Sequence, residues 1–499
     1  MTTKTISSPN PGRRKIFKMA AGAGLGYLTS ALIPGTGRAS GDGATYDVIV
    51  VGAGMAGLYA ARDLIARGYR VLVLEAMGRH GGRVYSATLG ETRIEMGAEE
   101  HYLGRNNPIY KAVVDAYGAD VYGQAYAGEQ MISMDGGKTC WEETGNCAAD
   151  ADIQNFWDYW THFGNPGNYR DFSMTMADDV LTRYGVDRSH RAYHLFDNGV
   201  AGSVYGASLQ KIGSASLARQ DWLWALSQDV RVLTPPDLGY SDVLDAIWWQ
   251  DVLDHVVLNR PVMRIEYDKS QVTVTDATGA THHAHKVIVT ASIGVLQSET
   301  IQFAPELPAA TIEAYRNIGM GRGLKIALRF AAPFWEKRLS YLIAEGLLSS
   351  CWVPTHYKKD TQDHILMCYP MGDNGQALTD LARQAGGGLN GQKAVIEVML
   401  ADLELMFGQR VRSNYLDAMV QDWTAQPYVQ GSYSYPMPRT YAGPRSMRQQ
   451  LAVPVADKIF FAGEGTNHQN PACVPGALQE GARAAEQVHA MLKELPGAS

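Results

Sequence analysis

The hydrophobic pattern changes period twice within thirty residues near the start of the chain. Asp47-Val48-Ile49-Val50-Val51 is an almost unbroken β-branched run, as expected of a strand buried on both faces. A glycine-spaced turn, Gly52–Gly57, leads into Ala and Leu positions at helical spacing through Ala66. After Gly68 a second apolar strand, Val71–Leu74, ends at Glu75. Strand, helix and strand in that order predict a parallel βαβ unit. Farther on, Leu324–Phe330 reads as a strand and Lys393–Met406 as a helix. Aromatic residues between Phe156 and Phe163 recur at helical spacing and read as core packing.

Composition places this pattern in a globular protein. The chain has 499 residues, 46% hydrophobic and 19% charged, enough for two domains with sizeable cores. A net charge of −7 leaves no basic excess to neutralise phosphates and argues against a nucleic-acid partner. The first forty residues stand apart. Arg13-Arg14-Lys15 precedes a weakly apolar run, Met19–Ile33, interrupted by Gly22, Gly24 and Gly26. Paired arginines ahead of such a run read as a signal for the twin-arginine export machinery, and hence a periplasmic or other extracytoplasmic destination. The run is too short and interrupted for a membrane anchor. Five cysteines are an odd number. Cys140 and Cys147 could close a small loop in an oxidising compartment or stay as two thiols, and no His/Cys cluster has metal-ligand spacing.

The turn Gly52-Ala53-Gly54-Met55-Ala56-Gly57 has the context a dinucleotide site requires. Gly52 permits the tight turn, Gly54 lets a pyrophosphate approach the backbone, and Gly57 lets helix pack closely on strand. The helix N-terminus offers oriented N–H groups to phosphate. Glu75 would accept hydrogen bonds from ribose hydroxyls and repel a 2′-phosphate, which disfavours NADP.

Beyond Glu75 the chain resembles the flavin-containing amine oxidase family. Arg79-His80-Gly81-Gly82-Arg83 is similar to its second glycine motif, where a guanidinium can reach the pyrophosphate, and Glu95-Met96-Gly97-Ala98 to the segment under the flavin ring. Val262 falls in a stretch resembling the adenine-binding strand. Ile459–Thr466 and Pro475–Gly481 resemble the C-terminal FAD fingerprint. The resemblance covers nearly everything after residue 45. It implies FAD held noncovalently, because Ser432 stands where some members carry a linking cysteine. It implies contacts at Glu75, Ala76, Gly463, Glu464, Cys473, Val474 and Ala477, with Glu464 on the ribityl chain and the Val474 N–H on flavin O2. The implied fold class is α/β, a Rossmann-type FAD-binding domain interleaved with an α+β substrate domain of mixed sheet plus helices. Its expected segments are 1–40 for export, 41–105, 236–300 and 426–499 for FAD, and 106–235 (helical) and 301–425 (sheet and helix) for substrate.

Gly319–Ile326 resembles the family segment bearing a lysine that holds a water at flavin N5, which puts Lys325 there; its alternative is a surface lysine on an edge strand. Tyr433 matches the first of two rings that flank the substrate nitrogen. The second position is Cys473, so the resemblance implies one aromatic wall. Glu99 and Glu100 come directly after Ala98, and one of them would face a cationic substrate, since neighbours on an extended backbone point opposite ways. The implied activity is oxidative deamination of a polyamine-like or other cationic amine by hydride transfer to N5. The imine is then hydrolysed, with O2 or a quinone as acceptor, and a homodimer is allowed. The alternatives are an L-amino-acid oxidase or dehydrogenase, for which Arg105, Arg322 and Arg439 are candidate carboxylate clamps, and a non-amine FAD protein such as a desaturase or a scaffold.

Overall fold

The computed structural model describes residues 45–493 apart from 103–106, 125–127, 143–146, 148, 164–167, 225–229, 355–356 and 359. The twin-arginine stretch and Arg105 lie outside the described residues. Followed along the chain, the strands alternate between two sheets. β1 (Thr45–Val51), α1 (Met55–Ala66) and β2 (Val71–Leu74) open the first. β3 (Glu129–Met134) and β4 (Lys138–Trp141) start the second. The chain returns to the first sheet with β5 (Val256–Val257), β6 (Val262–Tyr267), β7 (Val272–Asp276), β8 (Thr281–Val289) and β9 (Gln302–Ala304). It goes back to the second with β10 (Leu324–Phe330), β11 (Leu339–Ala344), β12 (Ser350–Trp352), β13 (His364–Cys368) and β14 (Tyr415–Asp422). β15 (Ile459–Phe461) and α2 (Val474–Lys493) complete the first.

The first sheet runs β9-β6-β7-β8-β1-β2-β5, with β15 against β8. Its centre is parallel, and Val51 pairs with both Leu74 and Val289, which in turn pairs with Phe461. Four strands therefore end level at their carboxyl edges, where an open α/β sheet places its ligand. α1 and α2 cover one face in a shared core that includes Leu58, Leu64, Leu478, Ala485 and Val488.

The second sheet runs β14-β10-β13-β12-β11-β3-β4. β3 lies parallel to β11, so the segment expected to be helical also supplies two strands to this sheet. The aromatic helix Ala151–Phe163 comes after them, with Phe156 and Tyr159 buried. A disulfide joins Cys140 to Cys147, while Cys351, Cys368 and Cys473 are buried free thiols. No helix among the described residues is long and apolar enough to cross a membrane.

Candidate active site

A cavity of about 860 Å³ runs between the two sheets. It starts from the level carboxyl edges of the first sheet, with Val51, Leu74, Glu75 and Thr290 in its lining. The glycine turn fits here for steric reasons. Gly52 has φ +101°, and a Cβ on Gly57 would sit 2.0 Å from the Gly52 carbonyl oxygen, so strand and helix touch through bare backbone. Gly54, Met55 and Ala56 line the cavity at the first turn of α1.

Glu75 is buried, and each oxygen accepts one backbone N–H, from Ala53 at 2.6 Å and Met77 at 2.8 Å. Burial pushes its carboxyl up despite those two bonds. A carboxylate has about four lone-pair sites, which leaves capacity for two ribose hydroxyls. Ser432 also lines the cavity, and its buried hydroxyl has no protein partner. A glycine cradle at a helix N-terminus, an acid with spare acceptors and an unpaired buried hydroxyl are a donor and acceptor set that fits FAD.

Of the two arginines expected at the pyrophosphate, Arg83 lines the cavity and Arg79 does not. The Arg79 guanidinium donates to the carbonyls of Gly82, His80 and Val84 and packs over Tyr85, so it braces the loop rather than facing the ligand. Arg83 donates to the Ser432 carbonyl and to Glu464, both at 2.8 Å. Glu464 is buried and also accepts from the Ser434 hydroxyl at 2.5 Å and the Ala472 N–H at 2.9 Å. Burial alone would raise its carboxyl. The Arg83 and Arg448 guanidinium groups and the Ser434 hydroxyl instead hold it below the ordinary value. Ala76, Gly82, Gly97, Ala98, Val262, Gly463, Cys473, Val474 and Ala477 all line the cavity, whereas Ala53 and Gly57 stand behind it.

The far end is built on the second sheet. β10 is paired on both sides, with β13 and β14, so Lys325 is not on an edge. Leu324, Ile326 and Leu328 face one core, and the strand's alternation turns Lys325 to the other side, where it is 5% exposed. Its ammonium donates to the Glu95 carbonyl at 2.9 Å and to Glu99 Oε2 at 2.7 Å, and lies 4.9 Å from the Trp352 ring centre. Glu99 Oε1 accepts the Trp352 indole N–H at 3.2 Å. Glu99 thus lines the cavity, but its carboxylate is engaged by Lys325 and Trp352 rather than left for a substrate cation.

Glu100 lines the same end and accepts the Tyr102 hydroxyl. Tyr433 is there as expected, but it is not the only ring. Tyr102, Tyr205, Tyr341, Trp352 and Tyr369 also line the cavity, together with Phe156 and Trp157 from the helix read as core. Burial above all keeps the hydroxyls of Tyr102, Tyr341, Tyr369 and Tyr433 protonated far above neutrality, with the Glu100 charge next in weight only at Tyr102. At the expected second ring position Cys473 donates to the Asn470 carbonyl at 3.3 Å, and burial pushes its thiol up to about 12, which makes it a packing group. Trp352 and Tyr369 were missed in the sequence. Their only local signal is an aromatic residue at the end of a short strand.

Comparison with known proteins agrees with this geometry. The family model for flavin-containing amine oxidoreductases matches residues 55–489. The lysine-specific histone demethylase 1B of Mus musculus is 27% identical over 89% of this chain and 53% of its own length, so the chain spans about half of that relative. Polyamine oxidase 3 of Oryza sativa subsp. japonica is 24% identical over 89% of both chains. Among solved structures, the cyclohexylamine oxidase of Brevibacterium oxydans superposes with a TM-score of 0.72 at 21% identity, over 90% of this chain and 100% of that one. A putrescine oxidase solved with putrescine gives 0.71 at 18% identity, over 90% and 99%.

Proposed function

Because the chain belongs to the flavin-containing amine oxidoreductases, we propose that it is an FAD-dependent oxidase of a cationic amine, a diamine or polyamine or a related base. The observation behind this reading is Glu100. Glu100 sits in the cavity beside the Tyr102 hydroxyl, among rings that stay neutral. A carboxylate among hydroxyls and ring faces suits a remote ammonium, by a charge-assisted hydrogen bond and by cation–π contact.

An amino acid would require an arginine for its carboxylate. Among the described residues, Arg322 and Arg439 do not line the cavity, and Arg83, which does, is bonded to Glu464. The two-electron oxidation of the carbon–nitrogen bond is the chemistry bound FAD supplies, with O2, giving hydrogen peroxide, or a quinone as acceptor. This chain's own groups position the amine. Glu100 takes the distal cation, Tyr433 and Tyr369 exclude water around the reacting nitrogen, and Lys325, held by Glu99 and the Glu95 carbonyl, handles the proton there. Ser432 at the linking position makes the FAD noncovalent. Export through the twin-arginine machinery belongs to the same proposal, supported by Arg13-Arg14 and by the Cys140–Cys147 disulfide, a bond of oxidising compartments.

The test is anaerobic addition of spermidine, putrescine, cyclohexylamine and L-arginine to the purified flavoprotein. Spermidine or putrescine should bleach the flavin, and a spectrum unchanged by the whole panel defeats the amine reading. Glu100→Gln should raise KM for the bleaching polyamine about 10- to 100-fold, the size of a lost charge-assisted bond.

A further inference from the structure

The segment from Asp197 to Gly206 has no part in the amine reading, yet Gly199, Ser203, Val204 and Tyr205 all line the cavity. Asp197–Gly202 is a π-helix, between one helical stretch, Tyr193–Phe196, and another, Ser203–Tyr205. A π-turn holds one residue more than an α-turn, so every later side chain is rotated by about 100° from where an α-helix would put it. Without the surplus residue, Ser203 to Gly206 would present different atoms to the cavity.

Named contacts hold the surplus in place. Asn198 is buried. Its Nδ2 donates to the Ala344 carbonyl at 2.8 Å, and its Oδ1 accepts from Asn374 at 3.1 Å. Asp197 Oδ1 accepts the Leu209 N–H at 2.7 Å. The Ser203 hydroxyl donates to the Asn198 carbonyl at 2.5 Å and accepts from the Ser350 hydroxyl at 3.0 Å. On the outer side the turn is therefore tied to β11, to β12 and to the helix bearing Asn374.

On the inner side it meets Tyr433. The Tyr433 hydroxyl is directed at the carbonyls of Ser203 and Val204, at 3.4 and 3.3 Å. Gly206, at φ +73°, lies flat against the ring, and a Cβ there would stand 2.9 Å from ring carbon Cε2. The Tyr433 main chain is fixed separately, by the Gly321 N–H at 2.8 Å on its carbonyl. The backbone is thus held from one side and the ring from the other.

We infer that the π-turn Asp197–Gly202, acting through Ser203, Val204 and Gly206, is the specificity-determining element of this site, because it sets where the Tyr433 ring stands and so how broad an amine fits beside it. Asn198 and Gly206 are positioning residues that reach the substrate only through Tyr433, whereas Ser203 also lines the cavity itself. The inference rests on the amine reading for its substrate and on the contacts of the turn with Tyr433 for its geometry.

Gly206→Ala pushes the ring into the cavity. KM for cyclohexylamine should rise about tenfold while that for slender putrescine changes less than about threefold, the range expected for small changes in pocket volume. In a Tyr433→Leu background the same substitution should leave the ratio of the two KM values unchanged, because the ring that transmits it is gone. Ser203→Ala adds no bulk and cuts the ties to Asn198 and Ser350, so it should lower the cyclohexylamine-to-putrescine KM ratio. Equal effects on both amines, or the same effect in the Tyr433→Leu background, would overturn the inference. If no amine reduces the flavin, the amine reading fails by itself, and a crystal structure of the Gly206→Ala holoprotein still decides this one. A displaced Tyr433 ring supports it and an unmoved ring refutes it.

Discussion

At the scale of single residues, the site depends on which buried charges are paired. Lys325 and Glu99 neutralise one another at 2.7 Å, both nearly inaccessible to water. Removing one partner of such a pair costs about 3–5 kcal/mol because the other is left buried and bare. A single Lys325→Met substitution would therefore mix instability with lost function, whereas Lys325→Met with Glu99→Gln keeps the locus neutral. The double variant should stay folded and yellow while flavin reduction or reoxidation slows by about 10²-fold, the lower range for a lost proton-handling group. Stopped-flow traces matching the wild type would remove Lys325 from the reaction. Asp221 offers a second test, of stability. It is partly buried, its carboxyl accepts the Tyr205 hydroxyl, and desolvation pushes it up to about 7. A folded-state pKa above the unfolded value means that the native protein holds this proton more tightly. The stabilisation is complete below about pH 4 and is lost as pH rises through about 7. Scanning calorimetry should show Asp221→Asn losing less Tm than the wild type between those limits. Parallel curves would show that the carboxyl is not set by burial. His101, buried neutral with its pKa lowered to about 3, has the opposite pH slope in both proteins and cancels from the difference.

At the scale of elements, the glycine turn was legible because strand, turn and helix are local and each depends on near neighbours. Gly57→Ala places a methyl carbon 2.0 Å from the Gly52 carbonyl oxygen and pushes α1 off β1. The protein should then purify colourless with its circular dichroism largely kept, and a normal flavin content would count against the assigned contact. Lys325 was legible as a charge in an apolar strand, although which groups receive it was not, since Glu95 and Glu99 lie more than two hundred residues away. The walls beyond Tyr433 were hidden for the same reason. Trp352 and Tyr369 come from the ends of β12 and β13, and only the sheet's pairing brings them to Lys325. The π-turn was hidden more deeply. Asp197-Asn198-Gly199-Val200-Ala201-Gly202 reads as a plain helix or loop, and its extra residue is kept by contacts with Ala344 and Asn374 that no local pattern announces. Likewise β3 pairs with β11 across about two hundred residues, so the stretch around it read as helical.

At the scale of the whole molecule, two sheets share one chain by alternation, and the cavity lies where they meet. The strands β1, β2, β8 and β15 of the first sheet fall in stretches whose apolar runs stood out in the sequence, while the contribution of β9 beyond residue 300 did not. The proposed export concerns the entire folded chain, since the twin-arginine route carries proteins already folded. Changing Arg13 and Arg14 together to Lys should leave the protein in the cytoplasmic fraction of cells that possess that machinery, with its flavin retained; unchanged export would reject the signal. The packing of α2 against α1 has one more consequence. Gly481 meets Ala56 so closely that a Cβ would lie 2.4 Å from the Ala56 carbonyl, and Val474 at the head of α2 closes the cavity that Gly54 opens. Gly54 and Val474 are thus far apart along the chain yet close one cavity. A polypeptide cut short of residue 474 would hold the glycine loop with no helix to close over it, and should emerge as an apoprotein.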